Sequence, residues 1–230
     1  MRDTPRALML FAAGFGTRMR PLTDATPKPL IKVAGQPMID RVVAFARQAG
    51  ITNIVANAHY RADQIQKHFA QSKVVISVET PQILETGGGM RAARPLLGRG
   101  PVFSANSDAV WVGDNPFDAL REVWNPETMD ALLLLIDPVN ALGHTGGDFD
   151  LGPDGRIQRG AGAIYSGVQI IRTQSLMDIP ERSFSLNRLW DTYIEAGRAY
   201  GTVHHGKWCD VGTPGAIAMA EEMLQAGGDV

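Results

Sequence analysis

Cysteine is nearly absent from this sequence. Cys209 is the single cysteine among 230 residues, so an internal disulfide and any metal site built from several cysteines are excluded. A reduced compartment is consistent with this composition, and we expect a cytoplasmic protein.

Long hydrophobic runs and an excess of one charge are also missing. Apolar stretches such as residues 131–136 are far shorter than the roughly 18 residues that a membrane span needs, and the N-terminal stretch lacks a signal-peptide core. The 22 basic residues face 24 acidic ones, which gives a net charge of −2. Neither nucleic acid nor a membrane is therefore expected as a partner, and any bound phosphate must be held by a few local groups.

What the sequence does contain is an alternation of strand and helix patterns. Strands are predicted at residues 7–12, 54–56, 74–78, 102–104, 131–136 and 163–171. Helices are predicted at residues 38–49, 63–69, 89–97, 117–124, 185–196 and 214–225, the last with Gly227 just past its end. This alternation predicts a single α/β domain with a Rossmann-like, mostly parallel sheet flanked by helices. Asp154-Gly155 predicts a hairpin turn in a less regular second half.

A glycine-rich loop follows the first predicted strand, at residues 12–18. Such a loop lets backbone N–H groups approach phosphate oxygens. Met19 occupies the place of the third glycine of the dinucleotide fingerprint, and Gly16-Thr17-Arg18 does not match a P-loop. Arg18 closes the loop, and Lys28 lies between two prolines that stiffen its segment. The loop therefore predicts a phosphate site of another kind.

The glycine loop belongs to a wider set of motifs. The other segments of the set are Pro27-Lys28-Pro29-Leu30, Leu84-Glu85-Thr86-Gly87-Gly88-Gly89, Asn106-Ser107-Asp108, Gly147-Asp148-Phe149 and Trp208-Cys209-Asp210-Val211-Gly212-Thr213-Pro214. The set resembles the sugar-1-phosphate nucleotidyltransferases, or nucleotide-sugar pyrophosphorylases, over essentially the whole chain. Two departures are Phe11, where a small aliphatic residue is more usual, and Ser107, which replaces the glycine of an Asn-Gly-Asp form. Neither removes a charged group.

The resemblance implies a reaction between a nucleoside triphosphate and a sugar 1-phosphate, with UTP and N-acetylmuramic acid 1-phosphate favoured. Asp108 comes soon after a predicted strand and should project beyond the carboxyl end of the sheet. Asp108 and Asp210 are implied to hold Mg²⁺, and Arg18 and Lys28 to neutralise phosphate charge. No general base is needed, because a phosphate monoester is largely ionised near neutral pH.

Other residues are implied to bind the two substrates. A nucleotide-binding half is expected at about 1–140 and a sugar-binding half at about 141–230. The triple glycine at 87–89 could equally be a permissive helix entry, and Glu79 a solvated loop residue. The nucleotide-binding candidates are Ala12, Ala13, Gly14, Gly16, Thr17, Glu79, Gly87 and Gly88. The sugar-binding candidates are Asn106, Gly147, Asp148, Ser166 and Gly167.

Three alternatives remain at the level of sequence. A guanylyl- or other nucleotidyltransferase acting on mannose- or heptose-type 1-phosphates shares the same charged residues. A non-catalytic nucleotide-sugar-binding module is disfavoured, because Arg18, Lys28, Asp108 and Asp210 are all present. A dehydrogenase is weaker still, since the dinucleotide fingerprint is incomplete. The oligomeric state stays open, and a homo-oligomer is one alternative.

Overall fold

A computed structural model describes residues 5–228 of the chain. The helices are α1 Met38–Gln48, α2 Ala62–Phe69, α3 Glu85–Leu97, α4 Pro116–Val123, α5 Asn187–Glu195 and α6 Pro214–Gly227. The strands of the first half are β1 Ala7–Phe11, β2 Lys32–Val33, β3 Gln36–Pro37, β4 Asn53–Ala58, β5 Val74–Val78, β6 Val102–Asn106, β7 Ala109–Val112 and β8 Ala131–Ile136. Those of the second half are β9 Ala141–Leu142, β10 Phe149–Leu151, β11 Ile157–Arg159, β12 Ile164–Ile171, β13 Ala199–His204 and β14 Lys207–Asp210.

The core of the fold is a seven-stranded sheet in the order β13-β8-β12-β6-β1-β4-β5. β12 runs antiparallel to both of its neighbours, and the other pairings in this sheet are parallel. The prediction of a mostly parallel sheet with flanking helices is therefore confirmed. Both halves of the sequence contribute to this sheet, because β12 and β13 come from the second half.

Burial on both faces explains why the central strands have apolar sequences. Along β1, Leu8 and Leu10 pack into one hydrophobic cluster, whereas Ala7 and Met9 pack into the cluster on the opposite face. Successive side chains of a strand point to opposite faces, so a strand covered on both sides needs an unbroken apolar run. The six residues of β8 are all buried for the same reason.

Helix α3 begins earlier than the sequence predicts. It starts at Glu85, so Gly87 and Gly88 lie in its first turns instead of preceding it. Glycine is a poor helix former, and the pattern therefore predicts a start at residue 89. Tertiary packing favours the earlier start, because residues 182–184 lie directly against Gly87 and Gly88.

Smaller differences concern individual strands and the end of the last helix. The strands β7, β13 and β14 have no clear alternating pattern and were not predicted. The hairpin around Asp154-Gly155 is present as the antiparallel pair β10–β11. At the end of α6, Gly228 adopts the left-handed cap conformation, whereas Gly227 is the last helical residue. None of the helices within residues 5–228 combines the length and the apolar character that crossing a lipid bilayer takes.

Candidate active site

A small sheet brings two carboxylates together that are far apart in sequence. β14 lies between β7 and β9, and its last residue, Asp210, pairs with Ala109, next to Asp108. The Val211 N–H donates to the carbonyl of Asp108 at 2.9 Å. Burial, followed by the negative charge of Asp108, raises the pKa of the Asp210 carboxyl above its usual range. Asp108 and Asp210 therefore face a common space, as their implied role requires.

Lys28 lies against this pair. Its Nζ is 2.6 Å from Asp108 Oδ2, and its side chain is only 13% exposed. Lys28 begins a short 3-10 turn after Pro27, and Pro29 follows it inside the turn. Gly16, at φ 62°, leaves room for the lysine stem: a Cβ at that position would lie 2.9 Å from Lys28 Cβ. The glycine loop and the proline segment thus fix the lysine together.

The Arg18 side chain lies on the side of the site where Asp210, the second carboxylate, is located. Its side chain extends from the 3-10 turn Thr17–Met19. A Cβ added to Gly212 would lie 3.1 Å from Asp210 Oδ2 and 3.2 Å from Arg18 Nη2. The absence of a side chain at Gly212 therefore leaves space between the guanidinium and the carboxylate. Two cations and two anions meet at one place, and all four had been named from the sequence.

His144 is a fifth charged or polar group at this place, and no motif in the sequence assigns it a partner. Its Nδ1 lies 4.0 Å from Asp210 Oδ2, and its ring packs edge-on against Trp208 at 6.0 Å between centroids. The imidazole opposes the rise in the Asp210 pKa, as do Lys28 and Arg18.

A cavity of about 230 Å³ opens beside the ion pair. It runs along the carboxyl ends of the central strands, where open α/β sheets bind their ligands. Several sequence candidates line it, and Gly16 and Thr17 lie in the adjoining turn, where the Gly16 carbonyl accepts from Thr23 Oγ1. The lining residues are Phe11, Ala12, Ala13, Gly14, Lys28, Pro29, Asn57, Ile83, Glu85, Thr86, Asn106, Ser107 and Asp108.

The triple glycine has a packing role in this structure. The N–H groups of Gly87 and Gly88 both donate to the carbonyl of Phe184, at 2.9 and 3.1 Å. A Cβ on Gly87 would overlap the Phe184 ring, and one on Gly88 would lie 2.5 Å from the carbonyl of Arg182. The N–H groups of Gly87 and Gly88 therefore have a backbone acceptor within the protein and are not free to donate to a nucleotide.

Glu79 also differs from its expected place. It is 2% exposed and is neither solvated nor part of the cavity wall. Its Oε1 accepts from Asn57 Nδ2 and its Oε2 from the Leu84 N–H, each at 2.7 Å. Glu79 therefore reaches the cavity only through Asn57, a lining residue that the sequence analysis missed. A polar side chain that follows a run of three apolar residues, near the carboxyl end of β4, was the signal that could have identified it.

The sugar-binding candidates are divided between the cavity and its support. Asn106 lines the cavity, and Gly167 packs against it, with a hypothetical Cβ 3.0 Å from Asn106 Cβ. Ser166 is fully buried, and its carbonyl accepts from the Trp208 indole N–H at 3.0 Å. Asp148 Oδ2 accepts from the Tyr165 N–H at 2.8 Å.

Gly147 lies next to Asp148 and packs closely on a neighbouring loop, where a Cβ would overlap the carbonyl of Ala161. Gly147, Asp148, Ser166 and Gly167 are thus placed around the cavity and do not line it in the described part of the chain.

The carboxylate pair suits a hard divalent cation. No group of three or more His, Cys, Asp or Glu side chains within residues 5–228 is arranged to hold a metal ion. Mg²⁺ does not require such a cage, because it is commonly held by one or two carboxylates together with substrate phosphates and water. Asp108 and Asp210 supply oxygen ligands of the right type, and the Val211 to Asp108 hydrogen bond holds the two residues side by side.

Comparison with known proteins agrees with this geometry. Residues 8–138 match the family described as the MobA-like NTP transferase domain. The chain is 40% identical to the N-acetylmuramate alpha-1-phosphate uridylyltransferase of Caulobacter vibrioides, over 97% of this chain and 99% of the relative. It is 36% identical to the protein of the same name from Neisseria meningitidis serogroup B, over 95% of this chain and 98% of the relative.

A solved structure supports the fold. The inositol-1-phosphate CTP transferase from T. maritima superimposes with a TM-score of 0.78 at 12% identity, over 98% of each chain. The family match covers more than half of this chain, and the two curated relatives align over nearly all of it. The chain therefore belongs to the MobA-like NTP transferase family, and it is a nucleotidyltransferase.

Proposed function

We propose that this nucleotidyltransferase transfers the uridylyl group of UTP to N-acetylmuramic acid 1-phosphate, giving a nucleotide sugar and pyrophosphate. The observation that carries the proposal is the meeting of Arg18, Lys28, Asp108 and Asp210 beside one cavity. The choice of substrates is supported by the names of the two relatives that align over nearly the whole chain.

The chemistry that these residues can perform is alignment and charge neutralisation. An oxygen of the sugar 1-phosphate attacks the α-phosphorus of the triphosphate, a new P–O bond forms, and the bond to the β-phosphate breaks to release pyrophosphate. The attacking oxygen is already ionised near neutral pH, because the second pKa of a phosphate monoester is about 6. The site therefore needs no side chain to remove a proton.

Lys28 and Arg18 would act on the phosphate oxygens. Charge develops on the bridging and non-bridging oxygens during the transfer, and preorganised cations stabilise it most when they need not move. Lys28 is held by the packing of Gly16 and the flanking prolines, which limits its freedom before substrate arrives. Holding both phosphates in line converts an encounter of two anions into a reaction within one complex.

Asp108 and Asp210 would hold Mg²⁺ in this proposal. The bound ion would neutralise charge on the triphosphate and on the departing pyrophosphate. The two carboxylates are kept at their places by the β7–β14 pairing and by the Val211 to Asp108 hydrogen bond, so that neither depends on a flexible loop.

Pyrophosphate release tests the proposal. The purified chain is assayed with Mg²⁺, each common nucleoside triphosphate in turn, and a panel of sugar 1-phosphates that includes N-acetylmuramic, N-acetylglucosamine and mannose derivatives. We expect the highest kcat/KM for UTP with N-acetylmuramic acid 1-phosphate. A clear preference for GTP with mannose 1-phosphate would overturn the substrate assignment, and no release with any pair would indicate a binding module.

A further inference from the structure

Asn57 has a fixed orientation at the edge of the cavity. Its Oδ1 accepts the Ala12 N–H at 2.7 Å, and its Nδ2 donates to Glu79 Oε1 at 2.7 Å. A backbone N–H can only donate, so the oxygen of the amide must face Ala12 and the nitrogen must face Glu79. Glu79 is itself held by the Leu84 N–H, and this chain of three hydrogen bonds leaves the amide no alternative orientation.

One N–H of Asn57 is left over. A side-chain amide carries two donors, and only the one directed at Glu79 has a partner among residues 5–228. Asn57 is 3% exposed, yet it lines the cavity. A buried donor without a partner is costly, which favours a ligand that supplies an acceptor there.

Helix α3 makes room for the arrangement. A Cβ on Gly89 would lie 2.5 Å from Glu79 Oε1 and 2.9 Å from Asn57 Nδ2. Any side chain at position 89 would therefore displace the pair. The third glycine of the triple, unlike the first two, serves the cavity wall.

The position of Asn57 in the sheet indicates which part of the substrate it meets. β4 carries Asn57, β1 lies next to it, and β6, which leads to Asp108, lies beyond β1. Two strand spacings place it roughly 10 Å from the end of β6. The phosphates belong with Lys28 and Asp108, and the sugar-binding candidates on β12 lie on the far side of β6. The nucleobase is the part of the substrate that remains for the Asn57 end.

We infer that Asn57 donates its free N–H to a carbonyl oxygen of the pyrimidine base, and that Glu79 positions it for this contact. The inference rests on the proposed use of UTP and adds a base-reading residue to it. Glu79 does not touch the nucleotide and acts through Asn57. The Ala12 N–H is occupied by the same network, so it is not available to the substrate.

Exchanging the amide and the carboxylate between positions 57 and 79 separates a structural role of the pair from recognition of the base. In Glu79→Gln alone, the new amide nitrogen must face another donor, either Asn57 Nδ2 or the Leu84 N–H, and both the melting temperature and UTP affinity should fall. In the double variant Asn57→Asp with Glu79→Gln, the carboxylate introduced at position 57 would accept from the Ala12 N–H and from the amide introduced at position 79. The oxygen of that amide would accept from the Leu84 N–H. All three internal hydrogen bonds return, but the free N–H does not.

Isothermal titration calorimetry with Mg²⁺ and without sugar phosphate measures binding apart from turnover. We expect the double variant to regain the native melting temperature while its Kd for UTP stays about tenfold higher. Its Kd for inorganic tripolyphosphate, which has no base, should equal that of the native chain. Equal values would show that the weaker binding of UTP does not come from moving the negative charge from position 79 to position 57. Native UTP affinity in the double variant would overturn the inference.

The native chain provides a second test that does not depend on the folding of a variant. The triphosphates of 2-thiouridine and 4-thiouridine each replace one base carbonyl with a weaker acceptor. We expect one of the two to bind more weakly than UTP to the native chain, and the same analogue to lose nothing further in the double variant. Equal binding of both analogues and UTP to the native chain would overturn the inference while leaving UTP turnover, and thus the proposed function, intact.

Discussion

Lys28 Nζ and Asp108 Oδ2 lie 2.6 Å apart, in an ion pair that links the proline segment after the glycine loop to the end of β6. The lysine is largely shielded, at 13% exposure, and the carboxylate is more open, at 27%. The same carboxylate faces Asp210, so one cation of the protein already neutralises part of a site that two acids share. The functional groups of this site are therefore organised before any substrate binds.

Replacing the lysine tests its share in the reaction. Lys28→Met should lower kcat by about 10² to 10³, which is the loss expected when one preorganised charged donor is removed from a site of this kind. Stopped assays of pyrophosphate release over a range of UTP concentrations measure it. Arg20→Met is the matched control, because Arg20 lies in the same loop but its side chain is 67% exposed and forms its ion pair with Asp24, away from the two acids of the site. A similar loss in both variants would argue for damage to the loop as a whole.

Removal of one carboxylate tests the metal assignment. Asp210→Asn keeps the shape of the side chain and should leave the melting temperature near that of the native chain, while Mg²⁺-dependent turnover falls to background. Chelation of the native chain should have the same effect, reversed by added Mg²⁺. Asp63→Asn, in the first turn of α2, is the control. Unchanged metal dependence in Asp210→Asn would show that Asp210 is not a ligand.

Gly87→Ala tests the packing role of the triple glycine. The added methyl group would meet the Phe184 ring, so we expect the free energy of unfolding to fall by about 1 to 3 kcal/mol. Urea denaturation measures it. Gly215→Ala is the matched helical control: nothing lies within 4 Å of its Cβ position, and alanine there should be neutral or stabilising by up to about 1 kcal/mol. Native stability in Gly87→Ala would remove the argument from close packing.

His204 predicts a pH dependence of stability. It is buried at the end of β13, and burial lowers the pKa of its imidazole below the usual 6.5, although the Val112 carbonyl and Asp114 oppose this. The unfolded chain therefore takes up the proton first. The contribution of neutral His204 is fully present above about pH 6.5 and is lost as the pH falls from there toward the folded-state pKa.

Thermal melting between pH 5 and 8 checks this expectation. The native chain should lose melting temperature below about pH 6.5, and His204→Gln, which cannot take up a proton in this range, should lose less. His205→Gln is the control, because that neighbouring side chain is exposed. Identical pH profiles for the native chain and His204→Gln would assign the acid sensitivity to other groups.

The sequence predicted best those features that depend on local pattern. The unbroken apolar run of β8 and the helical period of α1 each point to one structure, and both elements are present. β13 and β14 were not predicted because they mix glycine, histidine and tryptophan without alternation. They are strands because they pair with β8 and β7, respectively. The start of α3 was predicted too late because Phe184, whose ring packs where a side chain at Gly87 would lie, is distant in sequence.

The residues of the candidate site also divide into those that a local motif identifies and those that depend on how the chain folds. The four charged groups could be named from the sequence because each belongs to a recognisable motif. They are Arg18, Lys28, Asp108 and Asp210. Glu79 was named as a candidate near the nucleotide, but its burial and its two hydrogen bonds could not be predicted, since they depend on how β4, β5 and α3 meet. Asn57 was missed because a single asparagine near the end of a mostly apolar strand matches no motif, and only its place in the cavity wall shows its importance.

The strand order has a consequence for biosynthesis. β12 fills the gap between β6 and β8, both of which leave the ribosome earlier, and β13, the other neighbour of β8, also comes later. In a nascent chain that ends before residue 164, one edge of β6 and both edges of β8 are therefore unpaired. Open edges of this kind invite mispairing with other chains. Asp210 emerges later still, so the second acid reaches Asp108 only after β14 has been synthesised. A ribosome-bound intermediate can thus fold much of its apolar core and still lack one of the two acids of the candidate site.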